Sequence, residues 1–305
     1  MWFTGEADAF EALKDEIGED VARSASKGLR PTLRITTFPG KGLTQIGGRP
    51  HLAAGAAWPV RGPAVNVSSM AIRAGKTQPQ AVPGILRVAS KTRPLTFLAQ
   101  ADLSEAPSEA AALGLPDHGL LQFFLDLELA PWESSRESGR VVWTPEPASA
   151  TAATPASVVA STAARGSLRR ALAPPIPNTI EGSAALRQHI SGEDKGMGAY
   201  RFALHDRETG SWTRVGGPPD PLGNDPRIEV AAIALLGTAT PNATQWEANR
   251  GRVIEAARDY AMIGQVELST CLPEQGHDGV AFFVIKAKDL AKRTFSEAIA
   301  VYQRG

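Results

Sequence analysis

The chain has 305 residues, and its 32 Lys+Arg against 32 Asp+Glu leave no formal net charge, a balance that argues against phosphate-backbone binding as its main task. That length can bury a large core without disulfide or metal. A single cysteine, Cys271, and an acidic start without a secretory signal point to a reducing cytoplasm, and the longest apolar run, Val230 to Leu236, falls far short of the ~20 residues that span a bilayer.

The first predicted element is a helix. Phe10, Leu13, Ile17 and Val21 recur at helical spacing, Asp8 with Glu11 reads as a capping box, and Lys27-Gly28 as the stop. This amphipathic helix is assigned to residues 1–30, apart from one domain over 31–305. Its acidic face (Glu6, Glu11, Asp15, Glu16, Glu19, Asp20) reads as solvated surface.

Short strands are expected at Thr32 to Phe38, Ile85 to Ala89, Leu95 to Ala101, Leu120 to Leu127 and Arg140 to Trp143, with turns at Pro39-Gly40 and Gly47-Gly48-Arg49-Pro50. From about 145 to 178 the composition collapses into Ala, Thr, Ser and Pro, which predicts a mobile insertion, dispensable from Thr151 to Ala173. Beyond it, Ala199 to His205 and Ser211 to Val215 read as a hairpin. The run Ile228 to Leu236 is strand or buried helix. Thr244 with Glu247 reads as a capping box for a helix to about Tyr260, Asp289 as the cap of a short helical turn, and Glu297 to Gln303 as the last strand.

The two halves resemble one another. Phe97-Leu98-Ala99-Gln100-Ala101-Asp102-Leu103-Ser104 matches Met262-Ile263-Gly264-Gln265-Val266-Glu267-Leu268-Ser269, and Pro116 to Phe123 matches Gly276 to Phe283. Each copy reads as strand, polar loop, glycine turn and aromatic strand. The expected fold is therefore α+β, with mostly antiparallel sheets from an internally duplicated strand unit and a few peripheral helices. Gly119 and Gly279 suit turns of positive φ, while Gln100 and Gln265 suit the satisfaction of buried backbone groups.

Thr44 to Pro50, Trp58-Pro59, Pro94 to Ser104, Leu115-Pro116, Gly119 to Phe124, Gly217 to Asp225, Gly279 to Ile285, Asp289-Leu290 and Arg293 to Phe295 together resemble the YwqG-like family of bacterial proteins of unknown function. The similarity covers roughly Ile46 to Gln303. It departs from the family pattern at Gly276-His277-Asp278, which stands for a Trp-Gly-Asp-type turn, and the His-Gln that usually precedes the Gly-Pro-Asp loop is missing, with Thr213-Arg214 nearby. The resemblance implies an α+β fold, no established activity, and, by analogy with members that look like immunity proteins, neutralisation of a toxin by direct binding.

No phosphate-loop, zinc or nucleophile-elbow motif is present, and Cys271 reads as an inert core residue. No cofactor is expected. The five histidines lack metal-ligand spacing. Two of them, His118 beside Asp117 and His277 beside Asp278, fall at equivalent turns, and four such side chains facing one another would suit a divalent metal or acid–base work. The other reading is that Asp before a turn glycine bonds its own backbone. Trp58 and Trp132 are candidate anchors, for packing or for a protein partner, and Arg49 and His51 lie on a loop that could border such a patch. The leading expectation is a non-catalytic protein-binding module. The alternative is a metal-dependent small-molecule binder or hydrolase using the two His/Asp turns.

Overall fold

The structure, a computed structural model, describes every residue except 1, 2, 37, 39, 40, 65, 66, 68, 69, 72–74, 76, 77, 187–199, 201–203, 205–211 and 305. The runs rich in Val, Ile, Leu and Phe form the strands. These are β1 (Arg30–Thr36), β2 (Gln45–Ile46), β3 (Val60–Arg61), β4 (Arg93–Pro94), β5 (Thr96–Asp102), β6 (Leu120–Leu125), β7 (Gly139–Thr144), β8 (Ala164–Arg165), β9 (Ser167–Ala173), β10 (Arg214–Val215), β11 (Tyr260–Glu267), β12 (Val280–Lys286) and β13 (Ile299–Gln303). The described helices are α1 (Glu6–Ile17), α2 (Glu19–Lys27), α3 (Val82–Ala89), α4 (Pro107–Ala112), α5 (Ile180–Leu186), α6 (Pro226–Leu236), α7 (Ala243–Ala257), α8 (Leu268–Cys271) and α9 (Ala287–Ala291). No helix among the described residues is long and apolar enough to cross a membrane.

A five-stranded sheet runs β7-β6-β5-β2-β8 and a six-stranded sheet runs β13-β12-β11-β10-β1-β9, with every pairing antiparallel. The fold is thus α+β. The inner faces of both sheets share one apolar core, in which Phe123 and Phe283 meet with ring centroids 5.0 Å apart. Gly264 permits this contact, because a Cβ there would lie 2.2 Å from the Phe123 ring.

The sheets repeat one another in detail. In the β5–β6 pair the register slips between Phe97 and Ala99, and in β11–β12 between Met262 and Gly264, so each long strand carries one extra residue, Leu98 or Ile263, at the matching place. Gly119 and Gly279 take φ of 78° and 95°, and their carbonyls accept from the amides of Leu103 and Leu268. A third match escaped the sequence reading. Thr44-Gln45-Ile46-Gly47-Gly48 and Thr213-Arg214-Val215-Gly216-Gly217 both form a two-residue strand beside the long one, followed by two glycines of positive φ.

Several expectations need correction. The N-terminal helix is two helices broken at Gly18, whose φ of 82° favours glycine. Asp8 lies inside α1 and accepts from Thr4 rather than capping. Ile85 to Ala89, expected as strand, belongs to α3, where Ile85, Val88 and Ala89 face Met70 and Leu129. The segment 145–178, expected to be a mobile insertion, supplies β8 and β9, and β9 pairs with β1 at seven positions. Its Leu168, Ala171 and Ala173 are buried, so small residues suffice for an edge strand. Ile228 to Leu236 lies within α6. The capping box of α7 is Asn242 with Gln245, two residues before the expected pair, and Asp289 lies inside α9, which has Lys286 as its N-cap. Pro39-Gly40 and, in the expected hairpin, Ala199, residues 201–203, His205 and Ser211 fall outside the described residues, while Tyr200 and Leu204, expected in its first strand, are helical.

Candidate functional site

The outer faces of the two sheets are covered differently. On the six-stranded sheet, Met262, Phe282, Val284 and Val301 are covered by Val230, Ala231 and Ala232 of α6 and Val253 and Ala257 of α7. On the five-stranded sheet, Phe97 and Phe124 are covered by Leu52, Leu95, Trp58 and Ala152. There the cover is a loop and a coil, and between them lies a cleft of about 280 Å³. Trp58 forms one wall, and Leu52, Ala53, Ala54, Ala148 and Ala150 are among the rest.

A buried amide network anchors the main chain at His51, next to the cleft residue Leu52. Gln100 Oε1 accepts from the His51 amide at 3.0 Å and from Gln122 Nε2 at 3.2 Å, and Gln100 Nε2 donates to the Leu43 carbonyl at 2.7 Å. Gln122 Nε2 also donates to the His51 carbonyl, and Gln122 Oε1 accepts from the Thr144 hydroxyl. Each glutamine is fully buried, so its donors and acceptors must be met within the protein. Gln265 repeats the role: Oε1 accepts from the Asp220 amide at 2.9 Å, and Nε2 donates to the Trp212 carbonyl at 3.4 Å.

Of the residues expected at this site, Trp58 is half-buried. Its indole N–H donates to the Leu95 carbonyl at 2.8 Å and its ring meets Phe124 edge-on. His51 is buried, 4% exposed. Its Nδ1 lies 3.1 Å from the Ala148 carbonyl, which only accepts, so Nδ1 carries the proton. Its Nε2 is buried without a hydrogen-bond partner. Arg49 is exposed, and its carbonyl accepts from Gln45 Nε2 at 2.7 Å. The structure therefore places Trp58 in the cleft wall and His51 next to it, bonded to the main chain of the lining residue Ala148.

The two His/Asp turns are not brought together. His118 Nδ1 bonds Asp117 at 2.7 Å, and that hydrogen bond holds the exposed Asp117 carboxyl below its ordinary value. Trp143 donates to the His118 carbonyl at 3.0 Å, with the Arg293 guanidinium 5.1 Å from the Trp143 ring centre. At the other turn, the Tyr302 hydroxyl donates to the Asp278 carbonyl, and Arg304 Nε donates to the Asp278 carboxylate at 2.9 Å. Burial, followed by Arg304, pushes His277 below the ordinary imidazole value. Each turn is tied down by an aromatic residue of the neighbouring strand. Among the described residues no three His, Cys, Asp or Glu side chains are placed to hold a metal ion. Cys271 is buried, and burial pushes its thiol up, away from the reactive thiolate.

The sequence reading missed a buried ionic cluster beside the cleft loop. Arg61, fully buried, donates to Asp126 at 2.8 Å and to Glu133 at 3.1 Å, while Arg93 reaches the other Asp126 oxygen at 2.7 Å. The cluster staples the β3–β4 ribbon to the chain after β6. Its only sequence signal was charge placed between apolar runs.

No curated protein matches the chain. A family model described as a domain of unknown function, DUF1963, matches residues 44–303, and the chain belongs to that family.

Proposed function

We propose that the protein is a non-catalytic binding module acting in the cytoplasm, and that the cleft beside Trp58 receives part of one protein partner. The supporting observation is the cleft's lining. It consists of Trp58, Leu52, glycine and alanines, with no titratable side chain, and the chain just before Leu52 is anchored by Gln100 and Gln122 at His51. Such a surface selects by shape and apolar contact rather than by proton transfer. Within this reading the chain is a YwqG-like, immunity-like protein that neutralises a toxin by direct binding. We also read the matched registers of the two sheets as the trace of an internal duplication. Across relatives, the residues of Gln100 and Gln265 and the two bulges should then align as one pattern, and unrelated patterns would refute the duplication.

The test is affinity capture of tagged protein from native cells, repeated with Ala150→Glu, which places a charge at the cleft wall. A partner retained by the parent chain and lost from the variant at unchanged melting temperature supports the reading. A partner held equally by both removes the cleft from it. Metal bound in stoichiometric amount, lost in His118→Ala, would favour the metal-dependent alternative instead. Cell fractionation tests the compartment.

A further inference from the structure

Residues 145–163 contain no helix or strand and divide the chain into a segment that builds most of the five-stranded sheet and one that builds most of the six-stranded sheet. One strand from each side lies in the opposite sheet. Strand β1 comes from the first segment yet lies inside the six-stranded sheet. It pairs with β9 from Arg30↔Ala173 to Thr36↔Ser167 and with β10 at Leu33↔Val215 and Arg34↔Arg214. In return, β8 from the second segment closes the five-stranded sheet against Gln45 and Ile46.

The exchange is reinforced at both ends of β9. Phe3 bridges to Leu172 through paired amide and carbonyl bonds of 3.2 and 3.1 Å. Glu105 accepts from the Leu168 amide at 2.5 Å, while also accepting from the Gly42 amide and the Thr44 hydroxyl. Leu33 and Ile35 of β1 are fully buried in the common core. Main-chain bonds tie the connecting coil to the first segment, from Ala148 to Leu52 and from Ala152 to Pro50. The coil belongs to neither sheet and forms no ladder with the strands it joins.

We infer that residues 3–144 and 164–303 recognise each other independently of their covalent link. The second segment is a receptor for an extended strand of the β1 type, and the first is that strand's carrier. Removing β1 would leave β9 without its neighbour, and would leave an apolar slot where Leu33 and Ile35 sit. A backbone slot of this length selects a donor strand by main-chain bonds and by its alternating apolar residues. The cleft's protein partner takes no part in this recognition.

The test uses the full chain with a site-specific protease sequence inserted after Val159, which is 46% exposed, and a second version with the insertion after Ser149, also exposed. After cleavage the two pieces should co-elute at the volume of the uncut protein. Cutting should also make the melting temperature rise with protein concentration, as for a bimolecular complex. Leu33→Asp in the cut protein should weaken the pair by at least tenfold in dilution experiments. Pieces that separate or precipitate after cutting in both versions overturn the inference, as does a melting temperature independent of concentration.

Discussion

The two sheets share a register, a bulge, a turn and a buried glutamine, yet one carries helices on its outer face and the other a loop and a coil. The difference begins at corresponding strand positions. Phe282 is directly opposite Gln265, whereas Gln122 is directly opposite Gln100. A phenyl ring at that place calls for an apolar cover, which Val230 and Val253 help to supply. An amide calls instead for main-chain partners, and it takes them from the His51 loop. One difference at matching strand positions thus accompanies the contrast between helix-on-sheet and loop-on-sheet packing, and the cleft beside Trp58 lies on the loop-covered side.

The largest test of this contrast is Phe282→Ala. It should cost about 3–5 kcal/mol, read by urea unfolding, because the helix layer cannot collapse into the space. Arg61→Ala should cost up to roughly 3–5 kcal/mol, since it removes the fully buried guanidinium shared by Asp126 and Glu133 while Arg93 still reaches Asp126; a loss below about 1 kcal/mol would mean that the rest of the cluster compensates for it. Gln122→Leu should cost about 1–3 kcal/mol by leaving the His51 carbonyl and Thr144 hydroxyl unmet, and should loosen the cleft loop in hydrogen exchange.

Replacing Ala152→Gly on the coil should cost no more than about 1 kcal/mol. A similar loss for Phe282→Ala and Ala152→Gly would erase the distinction between the two covers. The smallest effect concerns acid stability. Burial alone would raise the Glu181 carboxyl, but the Arg227 guanidinium outweighs it and holds the group below its ordinary value. That contribution is present above the unfolded carboxyl range and is lost as pH falls through the lowered folded value. Glu181→Gln should therefore flatten the acid limb of the stability profile, and an unchanged limb would show that Glu181 does not drive it.

Much of the strand frame was legible because its signals are local. Phe97 to Asp102 and Leu120 to Leu125 carry continuous apolar and aromatic runs, and Gly119 marks the turn that joins their hydrogen-bonded pair. Ile85 to Ala89 misled because a short apolar run fits either period, and packing against Leu129 decided for helix. Residues 164–173 misled because composition signals disorder only when a segment must bury its own surface. Here β1 supplies the partner, so Thr151 to Ala173 is not dispensable as a whole. At the candidate site, Trp58 could be singled out from its proline, but the cleft could not, since its alanine walls come from segments about a hundred residues apart. The two His/Asp turns do not form one group: among the described residues no three His, Cys, Asp or Glu side chains are placed to hold a metal ion. At each turn the aromatic tether holds a main-chain carbonyl, that of His118 or Asp278, while the Asp117 carboxylate bonds His118 and the Asp278 carboxylate bonds Arg304.

The interior position of β1 sets a schedule for synthesis. This strand leaves the ribosome before either of its sheet neighbours, residues 167–173 and 214–215. At roughly 5–20 residues per second, its apolar Leu33 and Ile35 wait on the order of ten seconds or longer for their places. During that interval an unpaired strand is exposed to other nascent chains. The charged residues that flank those positions, Arg30 and Arg34, are where translation-coupled solubility would be most sensitive to substitution.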